Sequence, residues 1–443
     1  MSDDVVVREV DREPVIVVGA GLAGLTTAHM LGRAGMRTVV LEAGDRPGGR
    51  IHTCTEGLDT AKYGELGAES ISASDAAVTA LCADLGVELS EPAPRDGAPM
   101  TAIESLLDTH TVVVGGHVVA GAQLASIRRE ATTALRGLPP AAHETVAQWL
   151  RRAALSDYAR AVLSTATRAR AQRDPAQTDA HVLIEDSPGA RRTIRGGTQR
   201  LTDALARDED VRLGAPVTVI RQRRGRITVT LDDGDTLSAK QAVVAVSPFV
   251  LGAIGFDPPL PPATLLAAVS TPRSQGSTVV AHYRDGAAVR GALAHGVCTD
   301  GPISRAWLSG ADTAGPAVVR ALVCGTGRAQ VEQGDAALEE LDVLLETIVG
   351  HGVTRVGGCV KNWSADERFL GMGGAPPIAL RGSHVALLAA AERRVHFAGA
   401  HTDEMFCDTL EGAVRSGQRA AREVLRHPVR FSADDCNLKL VRA

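Results

Sequence analysis

A chain of 443 residues has room for about three domains, or two interleaved ones, and an apolar content of 44% supplies a sizeable core. The net charge of −5, with no basic run, argues against a nucleic-acid partner. The acidic start MSDDVVVREVDREP has neither half of a secretory signal, and no apolar stretch reaches the length of a membrane span.

The first predicted element is a strand, Val15 to Val18, whose continuous apolar run suits burial on both faces. Gly19, Gly21 and Gly24 follow at GxGxxG spacing. The first permits a tight turn, the second lets backbone approach a pyrophosphate, and the third lets a helix pack on the strand. That helix, Leu22–Arg33, presents its N-terminal N–H groups and dipole to the phosphates, and Gly35 stops it. A second strand, Val39 to Leu41, ends in Glu42, placed to accept from a ribose hydroxyl. A lone glycine fingerprint is weak, and a nucleotide-free turn is the competing reading. The strand, helix and acid in the required order favour a dinucleotide.

The continuation Glu42-Ala43-Gly44-Asp45-Arg46-Pro47-Gly48-Gly49-Arg50 resembles the E-A-x-x-R-x-G-G-R signature of the flavin-containing amine oxidase superfamily. The resemblance implies FAD rather than NAD, with Ala43, Gly49 and Arg50 beside the cofactor. It implies an α/β fold in which a Rossmann-like FAD-binding domain is interleaved with an α+β substrate-binding domain. On that pattern residues 1–75, 190–260 and 390–430 form the FAD domain, 76–189 and 261–389 the substrate domain, and 431–443 a tail.

Further along, Tyr63-Gly64-Glu65-Leu66-Gly67-Ala68-Glu69 matches the stretch that passes the flavin ring in relatives, which puts Gly67 and Ala68 at the cofactor. Glu65 is either a structural hydrogen-bonding acid or, facing the cavity, a general base. Glu69 is expected on the other side of the segment, near the flavin's polar edge. A helical pattern over 74–90 precedes a Pro-rich break at 92–99. Residues 103–183 read as mostly helical, broken at 137–140, with Arg168, Arg170 and Arg173 on a solvated face. Thr193 to Thr198 resembles the return to the FAD domain.

Strands are expected at Val217–Ile220, 227–231 and 242–246, with Val217 at the position whose backbone meets adenine in relatives. The stretch Pro258 to Pro262 marks a crossing outward. Strands near 277–284 and 317–324 and a helix near 335–349 belong to the substrate domain. Arg328, just past the second strand, is either a surface residue or a cation that binds a carboxylate, enolate or carbonyl oxygen. A last strand, Val395 to Phe397, leads through Ala398, Gly399 and Ala400 to a helix over 410–421. The resemblance directs that helix's N-terminus, with Thr409 and Leu410, at the flavin pyrimidine.

Several family features are missing. Lys361-Asn362-Trp363 resembles the K-N-W of monoamine oxidases, whose tryptophan lies near the flavin, though core packing is the alternative for Trp363. Where those enzymes place a flavin-bonding cysteine and then a cage tyrosine, this chain has Met372 and Gly373, so the FAD is expected to be non-covalent. Thr409 stands at the second cage tyrosine and Val280 at a lysine held through water to the flavin. His401 replaces a family glutamate, either role being open, and Asp403 and Asp408 share its loop.

The implied reaction is hydride transfer from a carbon beside nitrogen to the flavin, with molecular oxygen as electron acceptor. The missing cage argues for a bulky substrate, as in the cyclising homologues of antibiotic biosynthesis. Enzymes of that lankacidin type oxidise an amide to an N-acylimine and close a macrocycle by Mannich addition. Glu65 as base and Arg328 as enolate partner are the catalytic candidates. Oxidation of amino acids or polyamines, C–C desaturation of the phytoene or protoporphyrinogen kind, and a non-catalytic flavin module are the alternatives. Seven dispersed cysteines (54, 82, 298, 324, 359, 407 and 436) without C-x-x-C fit reduced thiols in a cytoplasmic protein, with no metal site. A homodimer is left open.

Overall fold

Strands Val15–Val18 and Thr38–Leu41 bury every side chain, which requires cover on both faces. They lie in a five-stranded, wholly parallel sheet, in the order 395–397, 242–244, 15–18, 38–41 and 211–212. Side chains alternate across it. Val15, Val17 and Val40 face helix Leu22–Arg33 and the C-terminal helix Leu410–Arg426, meeting Leu25, Leu31 and Val414. Ile16, Val18 and Val39 face a four-stranded sheet and pack on Ile220, Ile227 and Val229. The computed structural model describes residues 13–58, 63–91, 107, 111–184, 191–223, 225–309, 315–325, 335–374 and 380–426. Arg328, Cys436, the break at 92–99 and the tail 431–443 lie outside them.

The other large unit is a seven-stranded mixed sheet built around Ala317–Cys324, with Gly276–Tyr283 on one side and Ile303–Leu308 on the other. Its strands also have two unlike faces. Val279, Ala281, Val319 and Ala321 pack on helices Gly286–Ala292 and Ala336–Val349. From the opposite face Thr278, Arg305, Trp307, Arg320 and Leu322 line a cavity.

Three sequence expectations need correction. Residues 111–118 form a hairpin, not helix: TVVV and HV pair across Gly115-Gly116, both at positive φ. The β-branched run outweighs the helical pattern beyond it. The solvated arginine face is also wrong. Arg168 is buried and donates through Nη2 to the carbonyls of Thr299 (2.5 Å) and Gly301 (2.7 Å), while Arg170 and Arg173 line the cavity. Finally, the dispersed cysteines are not all free thiols, because Cys54 and Cys359, 305 residues apart, pair as a disulfide. Among the described residues no cluster suits a metal ion, and no helix is long and apolar enough to cross a membrane.

Candidate active site

The glycine turn is held by contacts that admit no side chain. A Cβ on Gly24 would lie 2.0 Å from the Gly19 carbonyl oxygen, and Gly19 itself has a φ of +102°. Gly21 differs: a Cβ there would meet nothing within 4 Å. The space in front of helix Leu22–Arg33 is therefore open, and no side chain caps that helix. Uncapped N–H groups facing such a space suit a pyrophosphate. Gly48 donates its N–H to the Ala20 carbonyl, and Arg46 Nη2 donates to the Gly49 carbonyl, so the two glycine turns brace each other. Glu42 takes backbone N–H bonds from Ala20 and Gly44, both at 2.8 Å, and a carboxylate has capacity left for ribose hydroxyls.

Sixteen residues were expected at the cofactor, and all but Gly24 line one cavity of about 1580 Å³. Gly24 lies beneath it, as its packing role requires. Glu42, Ala43 and Val217 line the same cavity as Gly67, Ala68 and Trp363, of which Gly67 and Trp363 bond to Arg320 and Thr278 of the seven-stranded sheet. Gly399, Ala400, Thr409 and Leu410 bring the C-terminal helix to the wall, where Thr409 Oγ1 accepts the Gly412 N–H at 3.1 Å. Arg50 also lines the cavity, but its Nη1 donates to Asp408 at 2.7 Å. Trp363 donates its indole N–H to the Leu66 carbonyl at 3.0 Å, so it is both packed and at the wall.

No cage forms at the positions the sequence singled out. A Cβ on Gly373 would lie 2.2 Å from Asp408 Oδ2, so the acid fills the room a side chain would need. Asp408 is fixed there by Arg50 and by the Gly374 N–H at 2.8 Å. Met372 and Thr409 complete that stretch of wall. Val280 is buried with Cys54, Leu66 and Val318, its methyl groups against Gly64 rather than at the cavity. His401 is at the wall and fully enclosed; burial, then Arg50 and Arg419, lower its pKa to about 3, so it is neutral near pH 7.

Glu65 is the main correction. It does not line the cavity: its carboxyl accepts the Thr198 N–H at 2.6 Å and the Thr53 hydroxyl at 3.0 Å, behind the wall. Burial raises its pKa to about 7, against the lowering effect of the Thr198 N–H bond. The strand ends at Glu65, and the chain bends at Leu66 and Gly67. Glu69 therefore faces the other way, into the cavity. There it meets Arg320 Nη1 (2.9 Å), the Trp307 indole N–H and the Ser309 hydroxyl (both 3.1 Å).

Sequence reasoning missed the arginines of this end, Arg170, Arg173, Arg191, Arg305 and Arg320. One signal was available. Arg320 interrupts AVVRALVC, a strand buried throughout, and a charge in such a strand needs a partner or a task. Arg328, the expected cation, lies outside the described residues.

Known proteins share this architecture. A cyclohexylamine oxidase from Brevibacterium oxydans IH-35A superposes with a TM-score of 0.76 at 22% identity, covering 94% of this chain and 99% of that one. A putrescine oxidase bound to putrescine gives 0.71 at 20% identity, with the same coverage. In sequence, the chain is 26% identical over 442 residues to AofH of Mycobacterium tuberculosis, covering 93% of this chain and 96% of that protein. It is 23% identical over 462 residues to a flavin-containing amine oxidase of Oncorhynchus mykiss, covering 93% and 85%. The sequence model for flavin containing amine oxidoreductase matches residues 22–425. The protein thus belongs to the flavin-containing amine oxidoreductases, and it is an FAD-dependent oxidoreductase acting on a small molecule.

Proposed function

We propose that the protein oxidises a C–N bond in a bulky natural-product intermediate, with non-covalent FAD and with oxygen as the final acceptor. The observation that carries this is the Gly373–Asp408 contact. It leaves no room for a cage tyrosine beside Met372, and Thr409 supplies no ring at the second position. Bound FAD supplies the hydride acceptor. The chain's part is to position and enclose. The helix N-terminus at Leu22 and the paired glycine turns would hold the phosphates, while Trp363 and the strand bearing Thr278 would form the wall beside the ring. Neutral His401 brings no charge to the site.

The finer reading is amide oxidation to an N-acylimine followed by Mannich-type closure of a macrocycle, as in lankacidin biosynthesis. A delocalised amide lone pair expels hydride poorly, and the electrophilic product would capture a nearby carbon nucleophile. Glu65 serves this reading as a brace of the turn into helix Gln199–Ala206, not as the base. Arg328 stays the proposed cation for the enolate. The interleaved domain boundaries given above are likewise our division of the chain.

The test is anaerobic addition of candidate substrates to purified protein while flavin absorbance is followed. Bleaching by a bulky amide, with benzylamine and putrescine inert, is the expected result. Bleaching by the small amines instead overturns the proposal. Loss of amide turnover in Arg328→Leu, with flavin still bound, would support the cation's role; unchanged turnover would remove it.

A further inference from the structure

We infer that Arg368 is a cofactor-binding residue, whose guanidinium completes, opposite Glu42, the site for the ribose in the adenosine half of FAD. It belongs to no glycine motif, and it reaches the cofactor space from the seven-stranded sheet. The inference rests on FAD as the cofactor and is indifferent to the substrate.

Strand Arg355–Asn362 is an edge of that sheet, and the chain leaves it through Trp363 into a turn over 364–370. Asp366 organises the turn. Its carbonyl accepts the N–H groups of Phe369 (3.0 Å) and Leu370 (2.8 Å). Lys361, near the end of the strand, donates Nζ to its carboxylate at 2.5 Å. The same carboxylate takes Arg368 along one edge, Nε to Oδ1 at 2.9 Å and Nη2 to Oδ2 at 2.8 Å. A planar guanidinium gripped on that edge has the direction of its remaining nitrogen, Nη1, fixed.

Nη1 is brought to Gly44. A Cβ on Gly44 would lie 2.8 Å from it and 3.1 Å from Glu42 Oε1. Gly44 is not at positive φ, so close approach rather than backbone conformation is what the glycine serves here. Its missing side chain lets a donor and an acceptor meet at one spot. Arg368 and Glu42 both line the cavity. Asp45 is a loose neighbour of Nη1, 3.7 Å away with its side chain 91% exposed, and an acid so open to water leaves the donor available. A ribose hydroxyl both donates and accepts. Seated between the two, it would give its proton to the Glu42 carboxylate and accept from Arg368 Nη1. Phe369 of the same turn packs on Trp363, ring centroids 5.2 Å apart, and comes within 4.0 Å of a Cβ placed on Gly49. The turn therefore covers the second glycine segment from Gly44 to Gly49.

Competition between FAD and FMN tests this, because FMN lacks the adenosine half. Purified holoenzyme is equilibrated with a mixture of the two, and the bound flavins are then released and separated by chromatography. Arg368→Gln should cut the preference for FAD over FMN about tenfold, and Arg368→Lys should keep part of it. Gly44→Ala, whose methyl group takes the place of Nη1, should cut the preference by a similar factor. Adding Arg368→Gln to Gly44→Ala should then cost no more than about twofold further. A turn that only supports the fold would loosen both flavins together and leave the ratio alone. An unchanged ratio in Arg368→Gln, or losses that multiply in the double variant, overturns the inference. Wild-type flavin that does not exchange and stays with acid-precipitated protein removes the non-covalent reading instead. Flavin loading of Arg368→Gln then decides, and full loading overturns the inference.

Discussion

The two ends of the cavity are built from different material. At the Gly19–Gly24 end the wall is backbone, and its shape comes from approaches so close that a single methyl group would collide. At the Arg170–Arg305 end the wall is long side chains, converging from a helix, a short strand and a sheet. The first end is suited to hold a cofactor in chains whose sequences otherwise differ, because it offers peptide groups rather than particular side chains. The second is set by side chains, so substitution can change its chemistry without moving the backbone, at a cost in stability where an ion pair is broken.

Four substitutions would break or sharpen this contrast. Gly24→Val should have the largest effect on flavin content, since its side chain must enter space held by the Gly19 carbonyl. Overpacking against backbone costs about 3 kcal/mol, enough to cut the flavin-to-protein absorbance ratio by more than about tenfold. If the variant purifies fully yellow, the backbone end is more forgiving than its geometry says.

Arg320→Met should come next. Both side chains of the Arg320–Glu69 pair are about a tenth exposed (9% and 12%), so truncation strands a buried carboxylate. Chemical unfolding should show a loss of about 3–5 kcal/mol with flavin retained. A loss of flavin equal to that of Gly24→Val would mean that the two ends are not independent.

Glu65→Gln probes the layer behind the wall. The folded pKa of Glu65, about 7, lies above its ordinary 4.5, so the folded state binds the proton more tightly between those values. That contribution to stability is complete below about pH 4.5 and is lost as the pH rises through 7. The glutamine variant should therefore be the more stable form above pH 7, by roughly 2–3 kcal/mol, and the gain should vanish near pH 4.5. A pH-independent difference would mean that Glu65 is ionised throughout. Thr409→Ala should have the smallest effect, about 1 kcal/mol in thermal unfolding, by removing the hydroxyl that accepts the Gly412 N–H.

The same contrast explains what could be read from the sequence. Leu22–Arg33 begins and ends where expected because the glycines on either side dictate backbone conformation locally. Most of the residues expected at the cofactor belong to short motifs, and the fold carries those motifs to the wall of one cavity. Arg191 and Arg305 carried no such mark: nothing within a few residues of either says that they line that cavity. Glu65 and Glu69 show a finer failure. They do lie on opposite sides, but through a bend at Leu66 and Gly67, which leaves Glu65 behind the wall and Glu69 at it.

The C-terminal helix has a further consequence, for the order of events on the ribosome. Strand Val395–Phe397 closes one edge of the parallel sheet, and Glu411 ties helix Ala76–Asp84 by accepting the N–H groups of Ala77 (3.0 Å) and Val78 (2.9 Å). The glycine turn at 19–24 is made well before the strand at 395–397 and the helix at 410–426 that complete its sheet and cover it. Until then Ala242–Val244 offers an open strand edge. A nascent chain thus carries the glycine turn beside a raw strand edge until residues 395–426 have been made.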